Sequence, residues 1–173
     1  MPARPFALFA ALLAAGCADD PIVAGQATAE AASGLPPELA PQSGTAEAIT
    51  GHAVLRPDAY RFAKGQHYVV ERVATVRARE PWHAGGERWA ALLNVQPEVR
   101  VEIVRVIDQQ LTLEASSGGL CGEGKPTRFI ATAATGKAPG ARTSLAAFAG
   151  EEPPGPAGSE DSLCGTFGYV LER

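Results

Sequence analysis

Aromatic side chains are scarce in this chain: Phe, Trp and Tyr make up 6% of its 173 residues. Alanine is abundant, and there are 19 glycines and 14 prolines. A core must therefore be built mainly from small and β-branched side chains. Positive charge is also short. The formal net charge of −4 leaves no electrostatic footprint for nucleic acid. It also leaves no polybasic segment to reinforce binding to anionic lipid. The apolar run Phe6 to Ala15 is ten residues long, far below the roughly 20 that a membrane-spanning helix needs. Strand and helix patterns do not alternate, which excludes a parallel βαβ build.

What is present begins with Arg4, the apolar run Phe6–Ala15, and then Gly16-Cys17. A cation, a short apolar core and small residues before a break describe a secretory signal peptide over residues 1–16. The ending Ala14-Ala15-Gly16-Cys17 resembles the lipobox of bacterial lipoproteins. Ala14 stands where that family usually has leucine, and Leu13 lies one place further from the cysteine. The resemblance covers only these first residues. It implies that Cys17 is lipidated and becomes the first mature residue, held by several acyl chains, since one chain binds a membrane only marginally. In the enterobacterial members, aspartate directly after the cysteine favours the inner membrane. Here Ala18 follows and Asp19 comes next, so the expected address is the outer membrane, facing the periplasm.

Cysteine arithmetic follows from that address. With Cys17 consumed, Cys121 and Cys164 remain, an even pair in a compartment that permits disulfides. A bond between them is expected, stabilising by roughly 4 kcal/mol on chain-entropy arithmetic.

Residues 17–47 contain no basic side chain, and their large apolar residues show no period. Such a segment cannot bury enough surface to offset its ordering entropy. The expectation is a disordered tether with a span on the order of 30 Å. The pattern changes at about Ala48, and residues 48–173 are expected to form one domain. Short β-branched or alternating runs occur at Ile49–Leu55, Gln66–Arg79, Val99–Ile107, Thr127–Thr135, Thr143–Ala149 and Leu163–Leu171. Asp108-Gln109 reads as a turn folding Val99–Ile107 back onto Gln110–Ser116 as a hairpin. Glu87–Val95 reads as a strand, although Ala90-Ala91-Leu92-Leu93 would equally suit a helical turn. The fold class is all-β: a small antiparallel barrel or sandwich of about seven to eight strands.

Catalytic signals are absent. Gly119 to Lys125 superficially matches a phosphate-binding loop, but Pro126 stands where Mg²⁺ needs Ser or Thr. His52, His67 and His83 sit 15 and 16 residues apart, without the close spacing of metal sites. No Gly-x-Ser-x-Gly elbow marks a serine nucleophile. The domain is therefore read as non-enzymatic, without cofactor or metal. Trp82, His83 and Trp89 flank a Gly-Gly loop and form the candidate contact surface, because Trp is enriched in binding hot spots. The alternative is that both tryptophans cap the core. Arg72, Arg77, Arg79 and Arg88 lie nearby, interleaved with Glu71, Glu80 and Glu87, which describes a solvated mixed-charge face. Two functions are expected. The first is a membrane-anchored lipoprotein that binds an envelope protein or cell-wall component. The second is a barrel carrier for a small apolar ligand. A hydrolase of envelope polymers ranks behind both.

Overall fold

The structure, a computed structural model, describes residues 37–115 and 118–172. It is a closed antiparallel barrel of eight strands, each paired with the next in sequence. The strands are β1 (Leu39–Pro41), β2 (Ala53–Leu55), β3 (Ala59–Phe62), β4 (Gln66–Arg77), β5 (Arg100–Leu111), β6 (Phe129–Ala134), β7 (Arg142–Phe148) and β8 (Leu163–Leu171). Two short helices interrupt them, α1 (Gly44–Ile49) and α2 (Trp89–Leu93). β8 returns to β1 with Leu39 opposite Leu171 and Pro41 opposite Tyr169. Closure leaves no sheet edge spanning the whole molecule, and it decides for barrel over sandwich. Among the described residues no helix is long and apolar enough to cross a membrane.

Residues 39–47, read from the sequence as the end of the tether, belong to the barrel. Leu39 is buried in the lumen and Ala46 is the buried residue of α1. Ser43 fixes the start of that helix. Its Oγ accepts from the Ala46 amide at 3.1 Å and from the Gly168 amide of β8 at 3.0 Å. A three-residue strand and a six-residue helix carry too few apolar side chains to show a period. Their stability comes from tertiary packing. Cys17 and the rest of 17–36 lie outside the described residues.

β4 and β5 are the longest strands, 12 residues each. They pair from Gln66–Leu111 to Arg77–Arg100, with two register shifts. One leaves Ile107 as an extra residue on β5, and the other leaves Val73 extra on β4. Each bulge flips the alternation by one. Tyr68 and Val70 face the lumen, whereas beyond Val73 it is Ala74 and Val76 that pack outside. These bulges explain the blurred faces of Gln66–Arg79. They also correct the expected turn at Asp108-Gln109. Asp108 pairs with Val69 and Gln109 with Tyr68, so the strand runs straight through, and Leu113 beyond it stands fully in solvent. Three polar residues after a bulge resemble a turn in composition but continue the ladder.

The expected strand Glu87–Val95 is instead α2. Trp89 and Leu93, four residues apart, are both buried. Asn94 closes the helix in the left-handed conformation at φ 50°, a geometry that asparagine tolerates.

Two apolar layers result. The lumen is lined from all eight strands, with Tyr60 opposite Tyr68, Ile130 opposite Ala147 and Leu145 opposite Phe167. The second layer lies on the outer face of β5–β7. There Trp82, Trp89 and Leu93 cover Ile103, Ala131, Ala133, Ala146 and Phe148. The alanines give the indole rings room, and each ring sits 5.8 Å from Phe148.

Candidate functional site

The two ends of the barrel are built differently. At one end lie α1, the β3–β4 turn, and the β5–β6 and β7–β8 connections. Cys121 of the β5–β6 connection is disulfide-bonded to Cys164 of β8, 43 residues apart. The lumen here is aromatic, with Phe62 edge-on to Tyr68 at 6.0 Å and tilted against Tyr169 at 6.4 Å. Most of its polar atoms are paired, the exceptions being the buried Gln66 Oε1 and Thr127 Oγ1. The Tyr169 hydroxyl lies 2.6 Å from Thr50 Oγ1. The Tyr68 hydroxyl accepts from the Leu120 amide at 2.9 Å, and Gln66 Nε2 donates to the Ile49 carbonyl at 2.8 Å. Burial pushes the Tyr68 and Tyr169 phenols up. This end is plugged.

The opposite end is open. A cavity of about 850 Å³ lies where β1 and β8 meet the β2–β3 turn, the far ends of β4 and β5, and the β6–β7 turn. That volume is in the range of small-molecule sites, roughly 300–1,000 Å³. Its apolar wall is Leu39, Leu55, Tyr60 and Leu171, with Pro57 and Val99 at the rim. Polar groups enter from β4, β5 and β6. Arg72 and Glu102 form an ion pair across β4 and β5, and Thr75 and Thr132 line the same wall. Arg56, Arg100 and Lys137 also line it. The Tyr60 phenol is pushed up to about 12, chiefly by burial. The Glu102 carboxylate adds to the rise, while the Thr132 hydroxyl and the Arg72 cation oppose it. Tyr60 is thus a neutral phenol at any physiological pH and can serve a ligand as a hydrogen-bonding group.

The bulge at Val73 makes this wall. It keeps Ala74 and Val76 in the outer apolar layer while turning Thr75 toward the cavity beside Glu102, its cross-strand partner. Without that extra residue the alternation would send Thr75 outward.

Most residues singled out from the sequence lie elsewhere. Trp82, His83 and Trp89 do not form a contact surface: Trp82 is 1% exposed, Trp89 0% and His83 7%. Trp82 Nε1 donates to Glu87 Oε2 at 2.8 Å, and His83 Nδ1 accepts from the Gly85 amide at 2.9 Å. These rings are a structural lid on β5–β7, because large flat side chains over an alanine-lined sheet bury more surface than they could by projecting. His52 lies 3.8 Å from Glu172, and His67 sits on β4. Among the described residues no group of three His, Cys, Asp or Glu is placed to hold a metal ion. The glycine loop after Gly118 is followed by a strand. A side chain at Gly119 would collide with Gln109 Nε2 and the Tyr68 hydroxyl, at 2.8 and 3.1 Å, so that glycine serves the plugged end. Of the four nearby arginines, only Arg72 faces the cavity; Arg77 donates to the Glu98 carbonyl and Arg79 pairs with the Glu98 carboxylate.

Sequence reasoning missed the mouth itself. Its lining comes from all eight strands and two turns, one or two residues from each, so no local spacing marks it. No known protein family, no curated protein and no solved structure matches this chain.

Proposed function

We propose that the chain is a non-catalytic carrier: an exported, lipid-anchored barrel whose open end takes up a small, largely apolar ligand. The observation that supports it is the half-empty lumen. A barrel of eight strands can fill its interior with side chains or hold one small ligand. This one is filled at the disulfide end and hollow at the other. The lining has no histidine, cysteine, serine or aspartate, and its one carboxylate is paired with Arg72. Binding without chemistry suits such a wall. A carrier needs an apolar enclosure with few polar groups to set orientation. Tyr60, Thr132 and the Arg72–Glu102 pair meet that description.

The anchor rests on Arg4 through Cys17. It would hold the barrel at the envelope. Metabolic labelling with palmitate should mark the chain, and Cys17→Ser should abolish the label. An unlabelled native chain would remove the anchor and leave the carrier reading standing. For the carrier, native mass spectrometry of the chain extracted from its source should show a population heavier than the bare polypeptide by one small molecule. A bare mass alone, under conditions that retain other non-covalent ligands, would contradict it.

A further inference from the structure

The cavity wall has an uneven charge. Arg56, Arg72, Arg100 and Lys137 all line it, against the single carboxylate of Glu102. Arg72 and Glu102 neutralise one another. Among the described residues, Arg56, Arg100 and Lys137 have no carboxylate within ion-pair distance. The chain as a whole carries a net charge of −4, so three unpaired cations around one opening are not a reflection of composition. The carboxylates nearest in sequence do not line the cavity: Glu38, Asp58, Glu98 and Glu172 are exposed beside it, with Glu98 engaged by Arg79 and Glu172 beside His52.

Below these cations the wall is aliphatic and aromatic, with Leu39, Leu55, Tyr60 and Leu171. Taking the carrier reading as its basis, we propose that the mouth selects a free anionic amphiphile: an apolar chain in the lumen and a carboxylate or similar anion at the rim. The cations come from three separate turns or strand ends, the β2–β3 turn, the start of β5 and the β6–β7 turn. They therefore surround the opening instead of lying along one side. A low-dielectric apolar wall under a ring of cations strengthens their attraction for an anion relative to open solvent. A lone anion such as chloride gains nothing from the wall, and a neutral chain gains nothing from the ring, so selectivity belongs to molecules that carry both.

The test uses the full-length chain and three probes of equal chain length, decanoate, decanol and decylamine, titrated calorimetrically below their aggregation concentrations. Decanoate should bind about tenfold or more tighter than decanol, the equivalent of one favourable ionic contact. That margin should shrink as salt is raised, because the cations are exposed. The double substitution Arg100→Gln with Lys137→Gln should shrink the preference severalfold, with Arg56 remaining and the loss falling on decanoate more than on decanol. Both side chains are exposed, and an unchanged thermal midpoint shows that the fold is intact. Equal binding of decanoate and decanol would overturn the anion preference and leave the carrier standing. Tighter binding of decylamine would also overturn it and make Glu102 the head-group partner. Binding of none of the three would count against the carrier itself. Association with vesicles of anionic phospholipid, without binding of free decanoate, would overturn the proposal by assigning the ring to a membrane surface.

Discussion

The two ends of one barrel show how the same strands can make a plug and a cup. At the disulfide end, Phe62, Tyr68, Phe167 and Tyr169 meet across the lumen and their polar atoms are paired. At the mouth, the side chains at equivalent inward positions are Leu39, Leu55, Thr132, Thr143 and Leu171. The difference is one of volume. Few aromatics are available, and within the lumen most sit at one end, so the other end cannot be filled by what remains. Scarcity of large side chains becomes a cavity because they are segregated.

That contrast can be broken most strongly at the plug. Phe167→Ala should cost about 4 kcal/mol in urea unfolding, since it leaves a hole with no room to collapse. Leu171→Ala, on the same strand but at the mouth and only partly buried, should cost about 1 kcal/mol, because water already reaches it. Similar costs at the two sites would mean that the ends are equally packed. Replacing Cys121 and Cys164 by alanine should lower stability by about 4 kcal/mol, from the 43-residue separation they close. Binding at the mouth should survive in whatever fraction stays folded. A loss of binding from folded protein would couple the ends and erase the distinction between them.

Alkaline titration sharpens the comparison in a different way. Burial favours the neutral phenol at Tyr60, Tyr68 and Tyr169, so all three hold their protons above the ordinary value of 10.0. The unfolded chain loses these protons first. Stability is therefore fully present below about pH 10 and falls as pH rises toward about 12, where Tyr60 ionises in the fold. Unfolding monitored against tyrosinate absorbance should show this window, and a stability that stayed flat to pH 12 would contradict it. The smallest effect expected in the plug is Tyr169→Phe, which removes the contact with Thr50. A loss of about 1 kcal/mol is the usual scale for one buried hydrogen bond. Thr50 Oγ1 keeps its bond to the Ala46 carbonyl at 2.8 Å, which limits the damage.

Much of the fold could be read from residues alone. β6, β7 and β8 lie where alternation placed them, within one or two residues. The all-β class and the Cys121–Cys164 bond were also legible, because strand alternation and cysteine count are local or numerical signals. Three features were not. β1 and α1 are too short to show a period, and tertiary contacts, chiefly pairing with β8 and β2 and the Ser43 bonds, hold them in place. β5 passes through Asp108-Gln109 because the Ile107 bulge and the partner strand β4 overrule a turn-like composition. α2 was hidden because Trp89 and Leu93 suit either period. The mouth could not be read at all, since closure of the barrel brings together residues as far apart as Leu39 and Leu171. Trp82 and Trp89 drew attention as hot-spot residues, but the alanines of β6 and β7 opposite them gave the better clue, a surface shaped to be covered.

The carrier reading stands or falls on where a ligand settles. Backbone amide shifts of the full-length chain, followed by NMR as decanoate is added, report that directly. The account predicts saturable shifts concentrated at Leu39, Leu55, Tyr60, Thr132 and Leu171, with Trp82, Trp89 and Phe167 unmoved. Shifts centred on the tryptophan layer or the disulfide end, or none at saturating ligand, would contradict it.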